Sequence, residues 1–140
     1  DTSNVVSRFM KQARLGRTIT LHNRGQDTRD FTYIDDFVGV ISDYTGIMNM
    51  VGNYNDVLNV GTGKSTAIRT LAMLVKELYP DVKIESLPGY PVTRNPVYNI
   101  HYRKADTLNL ERYFPRYYHS MKTLPEGLRK MKEELEKMVE

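Results

Sequence analysis

Hydrophobic residues recur at helical spacing in four stretches of the chain, and each stretch predicts an amphipathic helix. Ser3 or Asn4 suits the N-cap of the first helix, Asp35 that of the second, and Ser65 or Thr66 that of the third. The predicted ranges are 4–16, 35–48, 66–80 and 124–138. The predicted core positions are Val5, Val6, Phe9, Met10 and Ala13; Phe37, Val38, Val40, Ile41, Ile47 and Met48; Ile68, Leu71, Ala72, Leu74, Val75 and Leu78; and Leu124, Leu128, Met131, Leu135 and Met138.

Shorter apolar or alternating runs predict strands between these helices. The predicted strands are 18–21, 57–60 and 82–87, with a further candidate at 97–102. We expect a turn at 23–27, an irregular loop at 88–96, a short helix at 104–110 and an irregular connector at 115–122. The pattern therefore predicts an α/β chain, mixed α+β in isolation, with a small sheet covered by helices.

Composition restricts the class of protein. A length of 140 residues suits one domain, 1–140, and the 40% hydrophobic and 26% charged content is ordinary for a globular protein. No apolar run approaches the roughly 20 residues that span a bilayer, so we expect no membrane partner. The chain opens Asp1-Thr2-Ser3-Asn4, which predicts no signal peptide and suggests a cut or processed N-terminus. The lack of cysteine excludes disulfides and thiolate zinc sites and fits a cytoplasmic protein.

The charge pattern leaves two kinds of partner open. The net charge is +3, but Lys and Arg are scattered among acids, so a polyanion and a small anionic ligand are equally good interpretations. Tyrosines and basic residues between 90 and 118 lack an RNA-stacking motif, so we expect no nucleic acid. His22, His101 and His119 show no metal-ligand spacing, so we expect no metal site.

A stretch from Arg29 to Asp36 joins a polar loop to the second predicted helix. The planar donor fork of an arginine at the end of a loop suits a diphosphate. A surface ion pair of Arg29 with Asp30 or Asp27 is the alternative, and spacing alone does not decide between the two.

Two glycine-containing motifs fail as nucleotide sites. Gly61-Thr62-Gly63-Lys64-Ser65 resembles the end of a phosphate-binding P-loop, but position 58 is Leu where that loop needs Gly. As a dinucleotide fingerprint the same turn has Thr66 in place of the third small residue. We therefore interpret it as a turn between a strand and a helix, with Ser65 as the cap.

The chain resembles the substrate-binding half of the extended short-chain dehydrogenases/reductases, which include nucleotide-sugar epimerases, dehydratases and decarboxylases. The stretch Arg29-Asp30-Phe31-Thr32-Tyr33-Ile34-Asp35-Asp36 is similar to the start of that half. The flanking motifs occur in the family's order: Asn4-Val5-Val6-Ser7-Arg8-Phe9 to Leu15-Gly16-Arg17, Ile19-Thr20-Leu21-His22, Asn59-Val60-Gly61-Thr62-Gly63 and Glu126-Gly127-Leu128. Each motif is weak alone, but the ordered set covers nearly the whole chain.

The resemblance implies roles for six substrate-binding residues. Asn4 and Val5 would contact the diphosphate and the sugar edge, and Thr20 and His22 would hold the base through backbone groups. Arg29 would clamp the diphosphate. Arg94 would add a phosphate contact, although its loop departs from the family's Arg-Pro-Gly-Asp pattern. His101 stands near the place of a family Asp, which implies altered local packing.

The family's catalytic Tyr-x-x-x-Lys pair has no counterpart in the expected place. Tyr79…Lys83 is broken by Pro80, and Tyr118…Lys122 follows the Arg29 motif instead of preceding it, so we interpret both as chance and expect no catalytic residue. The family also uses NAD, bound by a Rossmann domain that we expect to be absent from 1–140. This chain alone should then bind no cofactor.

The resemblance implies the sugar-nucleotide-binding portion of an NAD-dependent epimerase/dehydratase, of the UDP-hexose 4-epimerase kind, that is not catalytic alone. A UDP-sugar and the Rossmann domain would be its partners. The alternatives are a stand-alone sugar-nucleotide or anion-binding module and a non-catalytic interaction domain. The sequence leaves the nucleotide, the sugar, the reaction and the oligomeric state open.

Overall fold

The computed structural model describes residues 4–51, 57–91 and 100–137, apart from the side chains of 47–51. Its elements are α1 Val5–Arg14, β1 Ile19–Leu21, a 3-10 helix His22–Gly25, β2 Thr28–Arg29, α2 Ile34–Val51, β3 Thr66–Ala67, α3 Ile68–Leu78, β4 Ile84–Ser86, α4 Leu108–Tyr113, α5 Pro115–Ser120 and α6 Leu124–Lys137. Within those ranges, none of the helices combines the length and apolar character that a bilayer crossing requires. The predicted mixed α/β class is confirmed.

Two small sheets connect distant parts of the chain. β1 pairs in parallel with β4, with Ile19 opposite Ile84, and β2 pairs antiparallel with β3, with Thr28 opposite Ala67. Thr28 also forms a parallel bridge with Tyr102. Each pairing joins segments about 40 to 75 positions apart in the numbering, so the polar loop before α2 lies where three segments meet.

The main core lies between α1, α3, α6 and strand β1. Its fully enclosed side chains are Phe9, Met10, Ala13, Ile19, Leu21, Leu71, Ala72, Val75, Val82 and Leu128. Most occupy the predicted apolar positions of α1, α3 and α6, and further members of those stripes, such as Val5, Ile68 and Leu124, pack against the core partly buried. For the described residues the helical periodicity therefore predicted this core correctly, because each stripe finds its partner stripe within the chain. The predicted Met138 lies outside the described residues.

A second, smaller cluster lies between α2, α4 and α5, with Val40, Leu110 and Phe114 buried at its centre. The predicted buried side of α2 is mostly wrong. Of its described side chains only Val40 is enclosed, whereas Phe37, Val38 and Ile41 are 42%, 52% and 39% exposed. The predicted core positions Ile47 and Met48 lie outside the described side chains. The described residues give α2 too little apolar surface to cover the rest of its stripe.

The predicted N-caps of α2 and α3 are also wrong. α2 begins one residue before Asp35, and the Phe37 N–H donates to the Tyr33 carbonyl at 3.2 Å. Ala67 occupies the N-cap position of α3, where no side chain caps the helix. The Ile68 N–H donates instead to the Asp27 carbonyl at 2.8 Å, so a strand-like loop satisfies the helix end.

Several smaller predictions need correction. Residues 57–60 form no strand, since no neighbouring strand pairs with them in the described ranges. The helix predicted at 104–110 begins only at Leu108, and the predicted connector 115–122 contains α5, which Pro115 starts at a position that tolerates proline. Of the candidate strand 97–102, the described part contributes the bridge at Tyr102. The predicted turn at 23–27 is mainly the 3-10 helix.

Candidate functional site

A cavity of about 930 Å³ opens between the start of α1, strand β1, the loop before α2 and helix α6. Its wall includes five of the six residues predicted to bind substrate, namely Asn4, Val5, Thr20, His22 and Arg29. The sixth, Arg94, lies outside the described residues. Since the five come from four elements (the start of α1, β1, the 3-10 helix and β2), the fold brings together residues that are up to 25 positions apart in the numbering.

Helix α1 presents its N-terminal end to the cavity. Asn4 is the N-cap, and its Oδ1 accepts a hydrogen bond from the Ser7 N–H at 2.8 Å. Val5 packs against the main core while lining the cavity. The end of α1 therefore places a partial positive charge and backbone donors at the cavity wall, an arrangement that favours an anion.

Strand alternation explains the position of Thr20. Ile19 and Leu21 are buried in the main core, so Thr20 between them faces the other side and lines the cavity. His22 follows at the start of the 3-10 helix, where Asn23 and Arg24 have φ of 49° and 52°. This left-handed turn ends the strand at the cavity edge.

Arg29 is half-buried, and its guanidinium is held by backbone carbonyls. Its Nη1 donates to the Thr28 carbonyl at 2.7 Å and contacts the His101 carbonyl at 3.4 Å. Among the described residues it forms no ion pair with Asp27 or Asp30, so the ion-pair alternative is wrong here. Its described hydrogen bonds use Nη1, which leaves the Nε and Nη2 edge of the fork for a ligand.

Asp30 is a structural carboxylate that the sequence analysis did not single out. It accepts hydrogen bonds from the Thr62 N–H at 3.1 Å, the Gly63 N–H at 2.9 Å and the Ala105 N–H at 3.2 Å. The Thr62 hydroxyl adds a fourth. The donors of this glycine turn are therefore occupied by Asp30, and the described residues offer no dinucleotide pyrophosphate site there.

The two glycines of that turn are explained by its contact with Asp30. A Cβ on Gly61 would lie 2.6 Å from the Ala105 Cβ and 2.9 Å from the Asp30 Oδ2. Gly63 has a φ of +67° and faces Thr107 at 2.9 Å. In the sequence, the presence of both the Arg29-Asp30 pair and the Gly61-Thr62-Gly63 turn was the signal from which the contact between Asp30 and the turn could have been predicted.

A second structural carboxylate, that of the buried Asp27, accepts hydrogen bonds from three side chains in the described part of the chain. Asn23 Nδ2 and His101 Nδ1 both lie 3.0 Å from its Oδ1, and the Tyr90 hydroxyl donates to its Oδ2. Burial acts to raise the pKa of Asp27, but the hydrogen bonds from Tyr90, His101 and Asn23 outweigh it and hold the pKa below its usual range. Asp27 is therefore ionised, and both of its carboxylate oxygens accept hydrogen bonds from neighbouring side chains. Sequence patterns did not predict the contacts of Tyr90 and His101 with Asp27, since 63 and 74 positions separate them from it.

Tyr33 and Lys122 line the cavity together, with the ammonium 5.1 Å from the ring centre. Lys122 pairs with Asp36 at 2.8 Å, and that hydrogen bond raises the pKa of Lys122. Burial and the nearby Glu134 and Asp35 raise the pKa of Tyr33, which disfavours a phenolate. This Tyr–Lys contact therefore lacks the electrostatics of a general base.

The arrangement is suited to binding an anion. Four cationic side chains, those of Arg8, Arg29, Arg103 and Lys122, line the cavity. Of its acids, Asp27 and Asp30 already accept hydrogen bonds from the protein. In the ranges that the structure describes, no group of His, Asp or Glu residues has the geometry to hold a metal ion.

The chain is similar to known enzymes of one family, although no family model matches it. It is 36% identical over 101 residues to UDP-glucuronic acid decarboxylase 6 of Arabidopsis thaliana. The aligned residues cover 69% of this chain and 28% of that protein. The chain thus spans under a third of the length of the curated relatives it matches.

Two solved structures share the fold. A UDP-glucose 4-epimerase from Thermotoga maritima, solved with UDP-glucose, superposes with a TM-score of 0.73 at 23% identity, over 98% of this chain and 40% of that one. A dTDP-glucose 4,6-dehydratase from Bacillus anthracis, solved with NAD, superposes with a TM-score of 0.73 at 17% identity. That superposition covers 97% of this chain and 40% of the dehydratase chain. In each case the match is to the C-terminal portion of the larger fold.

Proposed function

We propose that this chain, which belongs to the extended short-chain dehydrogenase/reductase family and corresponds to the C-terminal portion of its fold, binds the sugar nucleotide of a larger enzyme. The observation that carries the proposal is that one cavity is lined by Asn4, Val5, Thr20, His22 and Arg29. Its volume of about 930 Å³ is in the range of ligand sites, roughly 300–1,000 Å³.

The geometry supports a division of the cavity between the parts of the ligand. Arg29 would bind the diphosphate through the Nε and Nη2 edge of its guanidinium fork, and the N-terminal end of α1 at Asn4 and Val5 would supply positive potential at the same cavity. Thr20 and His22 stand at the end of β1, where a base can meet backbone groups. Arg94 remains a proposed second phosphate contact.

Two reactions of UDP-sugars are candidates for the larger enzyme. The sequence motifs suggested UDP-hexose 4-epimerisation, whereas the 36% identity to a UDP-glucuronic acid decarboxylase favours decarboxylation of UDP-glucuronic acid. Both require UDP recognition, so the UDP part of the ligand is common to both. A titration with UDP-glucuronic acid and UDP-glucose separates them by affinity.

The chemistry of either reaction would need NAD, held by a Rossmann domain outside residues 1–140, and this chain alone would bind no cofactor. NAD supplies hydride transfer at the sugar, and the residues described here would position the sugar nucleotide beside it. A stand-alone binding module and an interaction domain without a ligand remain the alternatives. A cytoplasmic location also stays a prediction.

Substitution of Arg29 tests the proposal directly. We expect the chain to bind UDP-glucuronic acid or UDP-glucose in a calorimetric titration, and Arg29→Ala to weaken binding about tenfold to a hundredfold, because a charge-assisted contact to phosphate is worth about 1.5–3 kcal/mol. Arg116→Ala is the matched control, since Arg116 is exposed on α5 and does not line the cavity. It should leave affinity unchanged.

Thermal stability distinguishes a ligand residue from a structural one. The Tm of the free Arg29→Ala variant should stay close to that of the unsubstituted chain, while the rise in Tm on adding the UDP-sugar should shrink. A large fall in Tm of the free variant with unchanged affinity would show that Arg29 stabilises the fold. Absence of any UDP-sugar binding by the unsubstituted chain would favour the interaction domain.

A further inference from the structure

We infer that Asp27, Tyr90 and His101 form a positioning cluster that fixes the guanidinium of Arg29 in the orientation that receives a diphosphate. The inference rests on the proposed function for the identity of the ligand. The cluster itself is defined by contacts among described residues. Of its members, only His101 corresponds to a position in the family resemblance, near the place of a family Asp.

The carboxylate of Asp27 determines how the cluster is protonated. Asp27 is only 7% exposed and, when ionised, accepts hydrogen bonds without donating any. His101 Nδ1 lies 3.0 Å from its Oδ1 and therefore carries the proton, and the Tyr90 hydroxyl donates to Oδ2. Because Nδ1 is protonated in one neutral tautomer and in the imidazolium, the contact does not depend on the charge of His101.

Two backbone carbonyls transmit this fixed position to Arg29. The Thr28 N–H donates to the His101 carbonyl at 2.8 Å, and the Arg103 N–H donates to the Thr28 carbonyl at 3.2 Å. Those same two carbonyls accept from Arg29 Nη1, at 2.7 Å for Thr28 and 3.4 Å for His101. The cluster therefore fixes the backbone pairing between Thr28 and the segment 101–103, and the carbonyls of that pairing hold the Nη1 side of the guanidinium.

Fixing that edge matters because Arg29 has a long and flexible side chain. An arginine that is free in solution loses side-chain entropy when it closes on a ligand, and prior ordering removes part of that cost. With Nη1 held by carbonyls, Nε and Nη2 would be the bidentate donor pair for an anion in the cavity that Arg29 lines. His101 and Tyr90 are therefore positioning residues that act through Arg29.

The first test measures the Arg29 side chain in the free chain. The ¹⁵N–¹H correlation of its Nε–H is assigned by its loss in Arg29→Lys. We expect His101→Ala to shift or broaden this signal, and His101→Asn, whose Nδ2 can replace Nδ1 as donor to Asp27, to restore it. His119→Ala is the matched control, because His119 is exposed on α5 and does not line the cavity.

Tyr90→Phe provides a milder variant for the same measurement. It removes one hydroxyl and keeps the ring, so the fold should persist if His101→Ala disrupts the core signals. We expect Tyr90→Phe to move the Arg29 signal in the same direction by a smaller amount. An Arg29 signal that stays unchanged in every folded cluster variant would overturn the inference.

The second test uses UDP as the probe. His101→Ala should weaken UDP binding about threefold to tenfold, as expected for the loss of one ordering contact, and His101→Asn should restore it. In the double variant Arg29→Ala/His101→Ala, the second substitution should add nothing, because His101 acts through Arg29. Fully additive losses would contradict the inference.

The two tests separate failure of this inference from failure of the proposed function. The Arg29 signal is measured without nucleotide and reports positioning directly. If the unsubstituted chain binds no UDP, the proposed function fails, and with it the diphosphate as the ligand. If UDP binds but His101→Ala changes neither the signal nor the affinity, the proposed function stands and the positioning role is wrong.

Discussion

The two hydrophobic clusters of this chain differ in how completely they are closed. The main core encloses ten side chains between α1, α3, α6 and the adjoining strands, whereas the second cluster encloses Val40, Leu110 and Phe114. On α2, Phe37 and Val38 remain 42% and 52% exposed although they belong to a clear apolar stripe. An apolar stripe at helical spacing therefore indicates a surface that favours burial. It does not establish that another element of the same chain packs against that surface.

The largest expected effect compares the centres of the two clusters. Leu71→Ala in the main core should lower the free energy of unfolding by about 2–5 kcal/mol, because it leaves a cavity among enclosed neighbours. Leu110→Ala should cost about 2 kcal/mol, at the low end of that range, since partly exposed neighbours can close the space.

Urea unfolding monitored by circular dichroism measures both losses. Met73→Ala on the same helix as Leu71 is the control, because Met73 is 57% exposed and its loss should cost less than about 0.5 kcal/mol. Equal losses for Leu71→Ala and Leu110→Ala would show that the second cluster is as well closed as the main core.

Asp30 should give the next largest effect, because it joins the Arg29 loop to the glycine turn and to the segment before α4. Asp30→Ala leaves the N–H groups of Thr62, Gly63 and Ala105 without their acceptor, which should cost about 1–3 kcal/mol. Asp30→Asn keeps one carbonyl acceptor and should cost less. An Asp30→Ala variant as stable as the unsubstituted chain in urea would contradict this role.

A pH series gives a smaller effect that isolates Asp27. Its pKa is lowered in the folded chain, so the stabilisation is present above the unfolded-state pKa of about 3.9 and is lost as the pH falls through the folded value. Thr123 likewise lowers the pKa of Glu126, which contributes to the same acid loss. Asp27→Asn should therefore flatten, without abolishing, the fall in unfolding free energy between pH 5 and pH 3.

The comparison for this series is Asp27→Asn against Glu126→Gln, each measured by urea unfolding at every pH. The difference between each variant and the unsubstituted chain gives the contribution of one carboxylate. If Asp27→Asn reproduces the original pH dependence, then Asp27 titrates alike in the folded and unfolded states, and the hydrogen bonds assigned to it carry no linkage.

Sequence patterns predicted the parts of the fold that depend on local periodicity. The core stripes of α1, α3 and α6 were correct, because residues three and four apart share a helix face whatever surrounds the helix. The extended run 57–60 was wrong as a strand, since a strand needs a partner that no local pattern reveals. The unexpected helix α5 begins at Pro115, a residue that suits the first turn of a helix, in the stretch predicted to be a connector.

The candidate site was predictable only where a motif recorded it. Asn4, Val5, Thr20, His22 and Arg29 were found through their resemblance to family motifs, and the fold places them on one cavity. Two of the donors to Asp27, Tyr90 and His101, could not be found in this way, because they lie more than 60 positions along the chain from it. Side-chain contacts at that separation depend on the tertiary fold and leave no periodic signal.

The smallest expected effect concerns the exposed stripe of α2. Phe37→Ser combined with Ile41→Ser should change the free energy of unfolding of the lone chain by less than about 0.5 kcal/mol, because both side chains are already about 40% exposed. The same change should reduce self-association in sedimentation velocity at high protein concentration, since an apolar patch without a contact favours association. Leu108→Ser is the control, because Leu108 is 71% exposed on α4, away from the stripe.

The two readouts of that variant decide what the α2 stripe does. A domain interface within a chain buries roughly 600–1,500 Å², so a stripe of this kind fits the proposed Rossmann domain, and adding such a domain in trans should raise the Tm of the unsubstituted chain more than that of the variant. A loss of several kcal/mol in the lone variant would instead show that Phe37 and Ile41 already stabilise the second cluster. The contrast between the two clusters would then be one of size, and α2 would need no further partner.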